Sequence, residues 1–123
     1  MKFDAFTRSY LQTAIWSSTD EHGEPLDANY GIEDIAPETL KQMTEDCSAF
    51  QETNAEWITT DHCHKSDCTS QAGHDFWLTR NSHGAGFWDG DWSKDADKAL
   101  TACSKAYGSV DLYVGDDGLI YST

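Results

Sequence analysis

Five side chains able to move a proton or hold a charge, His74, Asp75, Arg80, His83 and Asp89, fall within one stretch of sixteen residues. If a turn gathers them at one end of a hairpin, the imidazoles and carboxylates can serve as acid and base. That arrangement is the alternative reading, a small acid–base or metal-dependent enzyme centred on the 74–89 hairpin. No nucleophile or phosphate motif accompanies it, since G-x-S-x-G, the P-loop and H-E-x-x-H are all missing from the chain. The plainer reading gives Arg80 an ion pair with Asp75 or Asp89, the glycines of residues 81–86 a turn, and the aromatics a core.

A second grouping, His62, Cys63, His64 and Cys68, puts two thiols and two imidazoles into seven residues. Zinc takes such ligands, but a structural site usually joins two knuckles far apart in sequence, and here only one exists. Cys47 and Cys103 fall on apolar helix faces, where a thiol behaves as a small hydrophobe. The expectation is therefore no cofactor, with zinc on these four residues as the alternative. A Cys63–Cys68 disulfide is not expected in a reducing cytosol. The run Asp89-Gly90-Asp91-Trp92-Ser93 starts like a calcium loop, but Lys94 and Leu100 replace the required Gly and Glu. Ser93 reads better as a helix cap, with Asp95 and Asp97 favourable in the first turn.

Charge is the strongest feature. The 123 residues carry a formal net charge of -14. Residues 17–61 hold twelve carboxylates and a single base, Lys41, a local net charge of -11. A field of that sign disfavours direct binding to nucleic acid or an anionic membrane. It suits a basic protein surface, and it equally serves solubility. The expected partner-binding residues are Asp20, Glu21, Glu24, Asp27, Glu33 and Asp34 in a loop, with Glu38, Glu45, Glu52 and Glu56 on the outer face of a helix.

The elements that position these groups follow from periodicity. Phe3, Phe6, Tyr10, Leu11 and Ala14 share one side of a helix over residues 3–16, with Trp16 off that stripe, at an interface or under the acidic loop. Pro37 opens a second helix whose Leu40, Met43, Cys47, Phe50 and Trp57 face inward, with Asp46 between the apolar and acidic sides. Residues 75–80 alternate like a strand, return through 87–89 and form a first hairpin. Ser93 caps a third helix, ended by Gly108, and Gly115-Asp116-Asp117-Gly118 closes a second hairpin. The expected fold is one α+β domain over 1–123, ordered helix–helix–hairpin–helix–hairpin, with about three helices on one face of a four-stranded antiparallel sheet. Leu, Ile, Val and Phe are scarce, so five Trp and five Tyr must supply much of the core. No apolar run is long enough to span a membrane. Met1-Lys2-Phe3-Asp4 lacks a signal-peptide core, so a cytoplasmic product is expected.

The string from His74 to Trp88, with Trp16–Asp20, Glu24–Asp27, Ile35–Leu40 and Asp111–Gly118, resembles a family of small acidic proteins encoded by bacteriophages and mobile elements. The resemblance covers most of the chain and is lowest over 59–71, where the Cys/His group lies. It implies an accessory phage gene and brings no catalytic residues with it. Small acidic phage products are often inhibitors of host defence, including mimics of DNA. The expected function is thus a non-enzymatic acidic protein that occupies a basic, nucleic-acid-binding surface of a host protein such as a restriction or CRISPR complex.

Overall fold

The computed structural model describes residues 3–123. Four α-helices, α1 (Ala5–Ser17), α2 (Pro37–Thr53), α3 (Cys68–Arg80) and α4 (Lys94–Tyr107), precede an antiparallel hairpin of β1 (Leu112–Val114) and β2 (Ile120–Ser122). The α+β class holds. The count differs from expectation by one helix gained and one hairpin lost.

That difference has one origin. Residues 75–80, expected as a strand, are the C-terminal half of α3, and the expected return strand at 87–89 is a series of turns. Buried residues cover nearly the whole circumference of α3, including Phe76, Trp77, Leu78 and Thr79 in succession. A helix buried all round loses its 3.6-residue signature, and a short apolar run then looks the same as a strand. Asp67 starts the helix, its carboxylate accepting the Ser70 N–H at 3.1 Å. Gly73 lets α3 lie against α1, because a Cβ there would collide with the Phe6 carbonyl oxygen.

The other helices match their sequence signals. Asp4 caps α1 by accepting the Thr7 N–H at 2.7 Å, and Phe6, Tyr10, Leu11 and Ala14 are buried. Pro37 sits in the first turn of α2, and Met43, Cys47 and Phe50 face the core. Ser93 caps α4 through the Ala96 N–H, and Gly108 ends it with φ at 80°. The end of α2 comes earlier than the stripe suggested. Asn54 is buried and returns its side-chain N–H to the Phe50 carbonyl at 2.9 Å, so Glu56 and Trp57 lie in the following turn.

The core is aromatic, as the composition requires. Phe50 stacks on Phe76 at 4.0 Å between centroids, while Tyr10 meets Trp77, and Phe76 meets Tyr107, edge-on. Such pairs add about 0.5–1.5 kcal/mol beyond their area. The hairpin joins this core through Ile120, whose carbonyl accepts the Ala36 N–H at the head of α2. Among the described residues no helix is long and apolar enough to cross a membrane.

Candidate functional site

At 100° per residue, the residues that bury Met43, Cys47 and Phe50 turn Glu38, Glu45 and Glu52 to the opposite side of α2, where all three are exposed. Successive carboxylates of this row are about 10 Å apart along the axis. Lys41 reaches Glu45 at 3.9 Å across the solvated surface; no cation of the described residues pairs with Glu38 or Glu52. Glu21, Glu24, Asp27, Glu33 and Glu56 are also exposed. Asp20 and Asp34 are half-buried and hydrogen-bonded to the backbone of their loop. Asp20 accepts the N–H groups of His22 and Glu24 at 2.8 and 3.0 Å, and Asp34 accepts that of Gly31 at 2.8 Å. These two carboxylates hold the loop in shape.

Asp46, between the two sides of α2, turns inward. Its Oδ2 lies 3.0 Å from Arg80, whose guanidinium also donates to the Tyr10 hydroxyl and to the carbonyls of Tyr107 and Gly108. Arg80 is 5% exposed and packs over the rings of Phe76 and Tyr107. The expected partner of Arg80, Asp75 or Asp89, is therefore corrected to Asp46, which lies 34 residues away in sequence.

The five acid–base candidates do not converge, because His74, Asp75 and Arg80 are distributed around α3, and His83 and Asp89 lie in the turns after it. Asp75 is 1% exposed and receives hydrogen bonds from Gln71 and from the Trp92 indole N–H at 2.8 Å. Burial raises its pKa, partly opposed by those two donors. His74 points toward α1, with Nδ1 3.0 Å from the Thr13 hydroxyl and its ring beside Trp16. Asp89 is exposed and accepts the Gly86 N–H at 3.1 Å. His83 lines a separate polar cleft with Ser17, Asn81 and Asp111.

The Cys/His group is also separated. Cys63 and Cys68 are joined as a disulfide with Cα atoms 5.9 Å apart, contrary to expectation. The cause is local: residues 62–64 pair with 91–93 through the His64 N–H to Asp91 and the Ser93 N–H to His62, which aims Cys63 at the first turn of α3. His62 turns to the Ser93 hydroxyl at 2.9 Å, and His64 is exposed. The four ligands of the zinc alternative are not brought together, and no other group of three His, Cys, Asp or Glu among the described residues forms a metal-binding cluster.

One feature has no counterpart in the expected elements. A cleft of about 690 Å3 lies between the outer face of α1 and the turns after it, with Trp16 at its edge, 58% exposed. Tyr30 and Ile32, from the polar segment expected to be plain loop, line its far side. Exposed Trp16 was the available signal, since it falls off the buried stripe. No protein-family model, curated protein or solved structure matches the chain.

Proposed function

We propose that this is a non-enzymatic binding protein whose exposed carboxylates occupy a basic, nucleic-acid-binding surface of a protein partner. The observation that carries this reading is the row Glu38, Glu45 and Glu52, together with Glu21, Glu24, Asp27, Glu33 and Glu56. All are exposed, in a segment of net charge -11 with one base. Carboxylates repeated about 10 Å apart along α2, in a segment with one base, build a negative field that draws in a cationic surface. A surface that neutralises phosphate offers such cations. The phage-type resemblance makes a host defence or nucleic-acid enzyme, in the host cytoplasm, the proposed target. The scattering of His74, Asp75, Arg80, His83 and Asp89 favours this reading over an enzyme centred on that cluster.

The test is affinity capture from host lysate at low and at moderate salt, followed by salt-dependent binding to the purified partner. Charge pairing is screened over about 10 Å at 0.1 M salt, so affinity should fall steeply as salt rises. Recovery of a nucleic-acid-binding protein, lost with E38K/E45K/E52K, is the expected result. Capture indifferent to salt and to these reversals would overturn the reading.

A further inference from the structure

The cleft along α1 is open on one side and apolar within. Ile32 and Leu40 pack their backs on the core and show their fronts to the cleft, beside buried Ile15 and Ile35. Trp16 stands at one end, and the inward stripe of α1 makes no use of it. A large aromatic left out beside a concave apolar surface is the usual anchor of an interface. The polar groups of the cleft set its sign. Asp27 and Glu33 belong to the acidic segment, and Leu26, next to Asp27, is tied to the end of α1 by its N–H to the Ser18 carbonyl. Tyr30 and Trp16 add aromatic faces that attract cations. Arg8, two helical turns before Trp16 on the same wall, has no ion pair among the described residues.

We propose that this cleft is the anchoring part of the acidic surface, and that its occupant is an amphipathic basic segment of the protein partner. One or two apolar side chains seat between Trp16 and Ile32, and a flanking Lys or Arg meets Asp27 and Glu33. The wall from Arg8 to Trp16 spans about 12 Å, enough for two turns of a docked helix read through i, i+4 anchors. Arg8 then faces the carbonyls at that helix's C-terminal end, where a cation is favoured. The proposal rests on the acidic-surface reading and adds the apolar contact that charge alone lacks.

The full chain is titrated with three synthetic probes. One is a peptide of roughly 14 Leu and Lys residues with leucines at helical i, i+4 spacing. The others are the same composition with leucines scattered, and oligolysine. The amphipathic peptide should bind at least about tenfold more tightly than the other two and shift the Trp16 indole resonance and the Ile32 and Leu40 methyls. W16A and I32N should each weaken it about tenfold or more; Trp16 is exposed, so its loss leaves the fold intact. Equal binding of the three probes, or binding unchanged in W16A, would overturn the proposal. Concentration-dependent dimerisation lost in W16A would do so too, because it assigns the cleft to a second copy. Glu38, Glu45 and Glu52 lie outside the cleft, which keeps the two readings separable. Partner capture lost with E38K/E45K/E52K but untouched by W16A overturns the cleft alone. Peptide binding in the cleft, with capture indifferent to the reversals, supports the cleft and overturns the acidic row.

Discussion

Glu45 and Asp46 are neighbours on α2, yet they belong to two regimes of the same molecule. Asp46 turns inward to Arg80, and the guanidinium has the Tyr10 hydroxyl and two α4-end carbonyls as further acceptors. Glu45 turns outward with Glu38 and Glu52, where a single distant Lys41 answers three carboxylates. A charge inside is fixed by its partners, and removing one of them leaves the rest uncompensated. A charge outside is solvated and contributes almost nothing to folding. The interior charges therefore hold the architecture, and the exterior ones are free to meet another molecule.

The comparison can be broken from its interior side first. Arg80→Ala takes the charge partner from Asp46, which keeps the Gln42 amide as donor, and the donor from the Tyr10 hydroxyl, and should lower unfolding stability by about 3–5 kcal/mol in urea titration. A loss below about 1 kcal/mol would mean that the pair is as weak as a surface bridge. Gly73→Ala should cost about 1–3 kcal/mol by the same measurement, because its Cβ must push α1 from α3. Gly84→Ala, which meets nothing nearby, is the matched control and should be close to neutral.

These two sites also mark what the sequence could and could not convey. Stripes and caps made α1, α2, α4 and the last hairpin legible, since each shows one face to water and one to the core. In α3 both faces are covered, so periodicity vanishes and Phe76-Trp77-Leu78-Thr79 passes for a strand. Its surviving signals were Asp67 at the cap and the small residues Ala72 and Gly73 where another helix must approach. Once 75–80 is helical, the five acid–base candidates separate and Arg80 finds a partner on α2 that no local spacing indicates. The exposure of the acidic row was legible because it follows from the α2 stripe alone. The cleft was not, because it depends on how residues 26–35 fold back on α1.

The smaller effects sharpen the contrast. Opening the Cys63–Cys68 bond with dithiothreitol, or by C63S/C68S, releases a loop of a few residues and should cost about 2 kcal/mol, read as a fall in urea midpoint. Asp75→Asn should change stability by about 1 kcal/mol at neutral pH, as the Trp92 N–H keeps an oxygen acceptor. The pH dependence is more telling. Burial holds the Asp75 pKa above 3.8, so the folded state binds this proton more tightly than the unfolded chain. Its contribution to stability is greatest at low pH and declines as pH rises from about 3.8 through the folded value. Stability curves of wild type and D75N should therefore converge toward acid in one direction only, with the variant gaining relative stability as pH rises. E38K/E45K/E52K should change stability by less than about 1 kcal/mol, tending downward, because E38K puts a cation in the first turn of α2 and E45K replaces the Lys41 ion pair with two like charges at i,i+4.

That triple variant tests the account most directly when its folding and its binding are measured on one preparation. The melting temperature should stay close to that of wild type, while capture of the basic partner at low salt disappears. A variant that melts like wild type and still captures the partner would contradict the claim that the outer carboxylates are the binding surface.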